Sequence, residues 1–153
     1  MNYEVIYHQQ GTDTLTAKEH THTNQLEIIQ IVKGTGNLLL GKREYHFSDR
    51  DVFCFDGTVP HYISPEEGVP YERNKLSVEK STLSLIIDEN LCKNIYFKSD
   101  AETAMLMDHV FRQIKKHSEE GQPFNAMSEI FHLLGICYSH NTNLLPSQEG
   151  PLH

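Results

Sequence analysis

His20, His22, Glu27 and His61 are the residues of this chain whose types and spacing suit them to act together. Three imidazoles and a carboxylate could ligate a divalent transition metal such as Zn, Ni, Mn, Fe or Cu, and sequence does not choose among these ions. The same four groups could instead hydrogen-bond an organic ligand. Side chains two apart on a strand share a face, so His20 and His22 can direct both rings into one cavity. Glu27 lies in Leu26-Glu27-Ile28-Ile29-Gln30-Ile31-Val32, a stretch that reads as a buried strand. A carboxylate there is costly unless a cation or a polar ligand pairs with it. Tyr45 alternates with Glu44 and His46, so it can face inward and offer its hydroxyl to a pocket ligand.

The elements that must position these groups are short strands. Gly34-Thr-Gly36 separates Ile28–Lys33 from Asn37–Leu40, and Gly41-Lys42 separates that strand from Arg43–Phe47, a Gly-X pair suited to a tight hairpin turn. Val52–Phe55 follows, then Val59–Ile63 after Asp56-Gly57-Thr58, with further strands expected near Tyr71–Val78 and Leu83–Ile87. The apolar period then lengthens to that of helices. Ser99-Asp-Ala-Glu102 has the form of a capping box, and Leu106, Met107, Val110, Phe111 and Ile114 form a stripe that ends before Gly121. A second helix is expected over about 125–139. Its apolar residues, among them Ile130, Phe131, Leu133, Leu134, Cys137 and Tyr138, exceed one stripe, so a partner subunit is expected to cover part of it.

Composition narrows the function classes. A chain of 153 residues suits one domain, and its formal charge of −8 disfavours nonspecific binding to nucleic acid or anionic membrane. No stretch reaches membrane-spanning length and the N-terminus has no secretory pattern, so the expected location is the cytoplasm. The three cysteines, Cys54, Cys92 and Cys137, are widely spaced and read as buried free thiols. No Lys or Arg occurs from Asn125 to His140, so the second helix is not a DNA-recognition helix. His46, His109, His117, His132 and His140 read as surface or helix residues without a role.

The spacing from His20 to Glu27, the following Gly34, the strand context and the later Pro60-His61 together resemble the cupin motifs. The first motif lacks only its leading glycine, replaced by Thr14. The second is eroded, with Arg50, Asp56, Thr58 and Pro65 where that family carries Gly, Pro, Gly and Asn. The resemblance implies a mainly β fold, a cupin-type double-stranded β-helix or jelly-roll barrel, with His20, His22, Glu27 and His61 sharing a pocket.

The order of parts, a barrel followed by two α-helices, further resembles the N-terminal effector-binding domain of AraC-type transcription regulators. That resemblance covers roughly residues 3 to 140. It implies a cupin-like sensor domain at 1–140, with the barrel at about 1–90, a helical dimerisation segment at about 99–140, and a linker or tail at 141–153. It also implies a small-molecule effector, often a sugar or other metabolite, a homodimer formed through the helices, and DNA binding by a separate C-terminal domain absent here. Two other readings stay open: a metal-dependent cupin enzyme of dioxygenase or isomerase type, and a pure dimerisation module whose barrel is filled with side chains.

Overall fold

The computed structural model describes residues 3–11 and 24–141. The described residues form eight strands: β1 (Tyr3–Gln10), β2 (Gln25–Lys33), β3 (Gly36–Leu40), β4 (Arg43–Phe47), β5 (Asp51–Asp56), β6 (His61–Pro65), β7 (Glu72–Glu79) and β8 (Ile95–Lys98). Between β7 and β8 lie a short helix, α1 (Lys80–Leu83), and a 3-10 turn at Glu89–Cys92. Two long helices, α2 (Ala101–Glu119) and α3 (Pro123–His140), follow. The strands form a five-stranded sheet in the order β1-β7-β2-β5-β8 and a three-stranded sheet in the order β4-β3-β6. All pairings are antiparallel. This is the barrel-then-helices architecture expected of the sequence.

Burial explains why the two sheets have different sequence patterns. The five-stranded sheet is covered on both faces, so β2 and β5 are almost continuously buried. One face, with Ile29, Ile31, Phe53 and Phe55, packs against Leu38, Leu40, Phe47 and Ile63 of the smaller sheet to form the barrel core. The other face, with Leu26, Ile28, Val52, Cys54, Leu76 and Val78, packs against the helices. The three-stranded sheet has a single covered face, and β3 and β4 alternate accordingly.

Helix α2 begins one residue later than the capping-box pattern suggests. Asp100 is the N-cap and its carboxylate accepts from the Thr103 N–H, while Ser99 Oγ donates to the Arg50 carbonyl. Met107, Val110, Phe111 and Ile114 form its buried stripe. A polar network also ties α2 to the sheet. Asp108 accepts from Tyr7 OH at 2.9 Å and from Asn74 Nδ2 at 2.9 Å, and it lies 2.6 Å from His8 Nε2. Gln30 Nε2 donates to the Ala104 carbonyl at 3.0 Å.

Two expectations are corrected. Leu83–Ile87 is not a strand: Leu83 ends α1 and is buried, whereas Leu85 and Ile86 are exposed on the turn that follows. The apolar surplus of α3 is also largely absorbed within the chain. Ile130, Leu133, Leu134 and Cys137 are buried in the sheet–helix core, leaving Phe131 half-buried and Tyr138 exposed. Leu134→Asp is therefore expected to lose at least about 3 kcal/mol in urea unfolding, because it places a charge where no partner waits. Asn125→Asp, in the exposed first turn of the same helix, is expected to stay within about 0.5 kcal/mol of the parent.

Candidate functional site

β2 carries Glu27 on the barrel side, between Leu26 and Ile28, which face the helices. In register it lies beside Phe55 of β5 and Ser77 of β7. The carboxylate is fully buried, so its charge needs compensation from within the protein. His61, at the start of β6 in the opposite sheet, brings Nε2 to 2.7 Å from Glu27 Oε2. Lys75 of β7 brings Nζ to 3.0 Å from Oε1, and Ser77 Oγ donates to the same oxygen at 3.4 Å. The contact between Glu27 and His61 therefore joins the two sheets at one end of the barrel.

Local structure sets each of these positions. His61 Nδ1 lies 2.7 Å from the Val59 carbonyl, which can only accept, so Nδ1 carries a proton and Nε2 is the atom turned to the carboxylate. Phe55 packs edge-on against the imidazole with centroids 5.0 Å apart. The turn after β5 contains Gly57, where a Cβ would stand 3.0 Å from Glu27 Oε2; any larger residue would crowd the carboxylate. Tyr45 does face inward and packs against the barrel core. The β3 pairings set Arg43 at the level of His61 and Tyr45 one layer deeper, level with Ile63.

Electrostatics follow from this geometry. Burial alone would push the Glu27 carboxyl up, but the hydrogen bond with His61 and the Lys75 charge outweigh it and bring the pKa from 4.5 down to about 2. A depressed carboxyl pKa contributes stability that is present above the unfolded value and is lost as pH falls through the folded one. The difference corresponds to about 3 kcal/mol, lost between roughly pH 5 and pH 2.

Two of the four residues singled out from sequence, Glu27 and His61, thus adjoin; His20 and His22 lie outside the described residues. Among the described residues no group of three His, Cys, Asp or Glu side chains could hold a metal ion. The Lys75 ammonium meets Glu27 Oε1, and His61 Nε2 meets Oε2. Sequence reasoning missed Lys75. Lys75 precedes Leu76, which faces the helices, so strict alternation along β7 could have placed Lys75 in the barrel.

Unfolding by urea across pH tests the role of Glu27. The parent is expected to lose about 3 kcal/mol more than Glu27→Gln on acidification from pH 6 to pH 2. An identical acid profile for the two proteins would contradict an ionised, cation-paired Glu27.

Comparison with known proteins agrees with this architecture. The chain resembles, in fold, the AraC-like transcriptional activator CuxR, with a TM-score of 0.55 and 8% identity over 81% of this chain and 44% of that one. ToxT from Vibrio cholerae gives a TM-score of 0.49 at 12% identity, covering 72% of this chain and 46% of its own. A cupin protein from Bacteroides fragilis gives 0.44 at 20% identity, covering 52% and 67%. The chain spans less than half the length of each of the two regulators. No curated protein matches the sequence. The sequence model of the AraC-like ligand binding domain matches residues 2–134, nearly the whole chain, and on that match the protein belongs to the AraC-like ligand-binding domain family.

Proposed function

We propose that this chain is the effector-binding and dimerisation part of an AraC-type transcription regulator, with DNA read by a segment outside it, and that the effector is a small hydroxyl-rich molecule such as a sugar. The observation that carries this reading is the buried Glu27–His61–Lys75 cluster, a set of polar groups held inside an otherwise apolar barrel. The carboxylate and the ammonium already balance one another, so a neutral ligand with several hydroxyls can exchange hydrogen bonds there without adding an uncompensated charge. Tyr45 adds a phenol on the same lining, and His20 and His22 are proposed to complete it. Phe47, Phe53 and Ile63 belong to the apolar barrel core that surrounds the cluster.

Glu27 Oε2 and His61 Nε2 are also the atoms that a divalent ion would take, with His20 and His22 as its other ligands. Metal titration after chelator treatment separates the two readings. Stoichiometric uptake of Zn, Ni, Mn or Fe that is lost in a His20→Ala/His22→Ala variant would assign the quartet to a metal. Thermal shift and calorimetry against a panel of sugars and small metabolites test the effector reading. A ligand at about 100 times its Kd is expected to stabilise the parent by about 2.7 kcal/mol. Tyr45→Phe is expected to weaken that ligand about tenfold. Failure of every hydroxyl-rich compound to stabilise the parent would contradict the proposed effector class.

Dimerisation is proposed to use the outer face of α3. Phe124, Ser128, Phe131, Gly135 and Tyr138 follow one another at steps of four and three along the helix, the spacing of a helix–helix seam. Phe124 and Tyr138 are exposed, and Gly135 has nothing within 4 Å of where a Cβ would stand. A mid-helix glycine costs about 1 kcal/mol relative to alanine, and close approach of a second helix would account for it. Light scattering is expected to show a dimer for the parent and a folded monomer for Gly135→Glu and Tyr138→Asp. A monomeric parent at high concentration would contradict this interface.

A further inference from the structure

Outside the barrel, a cavity of about 470 Å3 opens where β1, β2 and the turn before β5 meet α2. That size accommodates a small organic molecule. Its lining combines two guanidiniums, Arg50 and Arg112, and the imidazoles of His8 and His109 with apolar surface from Val32 and Met105. Its one carboxylate, Asp108, is already engaged by Tyr7, His8 and Asn74. Against a chain charge of −8, this groove is a locally positive place.

The backbone gives a second, independent reason to single it out. Among the described residues, the non-glycine positions with left-handed φ are His8 at 55°, Asn24 at 60°, Arg50 at 70° and Asn94 at 57°. Asparagine tolerates that conformation, whereas an arginine there carries a conformational cost. His8 and Arg50 both line this groove. Each is held in place by its surroundings. His8 lies at the irregularity in β1 pairing between Ile6 and Gln9, its N–H donates to Asn74 Oδ1, and its ring stacks on Tyr7 at 3.9 Å. The Arg50 N–H donates to the Ile31 carbonyl, while the Arg50 carbonyl accepts from Ser99 N and Oγ. Strain kept at a residue such as Arg50 and a bulge that re-aims a side chain such as His8 are features of binding sites.

We propose that this groove is a second ligand site, separate from the barrel, for a small organic anion whose carboxylate or phosphate sits between Arg50 and Arg112 while its apolar body lies on Val32 and Met105. The site joins the sheet to α2, so an occupant would clamp the barrel to the helical segment. It does not depend on what the barrel binds.

The test uses the whole 153-residue chain, with benzoate and phenyl phosphate as the anionic probes and benzamide as their neutral counterpart. Amide shifts in nitrogen-15 labelled protein are expected to move for both anions at Val32, Ala104 and Arg112, and not for benzamide. Arg112→Gln and Arg50→Gly are each expected to weaken both anions about tenfold or more, the loss of a charge-assisted hydrogen bond. Arg50→Gly is expected to melt no lower than the parent, since glycine accepts the left-handed φ. Tyr45→Phe, in the barrel, is expected to leave anion affinity unchanged. Stronger response to phenyl phosphate than to benzoate would identify phosphate as the preferred group, and the reverse would identify carboxylate. The proposal is overturned if neither anion binds saturably, if benzamide binds equally well, if the shifts map to the barrel, or if affinity survives both arginine substitutions.

Discussion

A single buried carboxylate organises the barrel. Glu27 has no access to water, so the fold must supply positive charge and hydrogen bonds where solvent would have done so. It does so from both sheets: Lys75 and Ser77 from the strand beside it, His61 from the sheet opposite. The requirement extends outward from the carboxylate. His61 must be oriented by the Val59 carbonyl, Phe55 must leave the ring its place, and the β5–β6 turn must carry a glycine beside the carboxylate. Removing Lys75 or His61 leaves the carboxylate under-compensated in an apolar interior, whereas together they form a hydrogen-bonded polar surface.

The five-stranded sheet connects that surface to the helices. Its strands send one set of side chains into the barrel and the alternate set toward α2 and α3. On the helix side, the core is interrupted by the Gln30–Asn74–Asp108 network, in which Asn74 Nδ2 donates to both Gln30 Oε1 and Asp108 Oδ1. Asn74 and Lys75 are adjacent on β7, so one strand contributes a residue to the barrel cluster and the next residue to the helix anchor. A ligand that shifted Lys75 would thus press on the backbone that positions Asn74, which gives a short physical path from barrel to helix.

Much of this was legible in sequence where a local pattern recorded a global constraint. The mostly apolar Leu26–Val32 run reflects a strand buried on both faces, and the alternation around Tyr45 reflects a sheet covered on one. Met107, Val110, Phe111 and Ile114 marked the α2 stripe because helical burial repeats within a few residues. What was missed depends on contacts distant in the chain. Lys75 reads as a surface residue until its register beside Ile29, within reach of Glu27, is known, and β8 is a four-residue strand defined by pairing with β5. Leu85 and Ile86 mimic a strand, yet they sit exposed on a turn. The excess apolarity of α3 was real, but much of it answers the sheet and the 3-10 turn of its own chain rather than a partner.

The most direct measurement of the central claim, that Glu27 is held ionised inside the barrel by Lys75 and His61, is a carbon-detected NMR titration of its side-chain carboxyl. The structure predicts a midpoint at about 2. A midpoint at or above the ordinary glutamate value of about 4.3 would contradict the account, because it would mean that Lys75 and His61 do not compensate the buried charge.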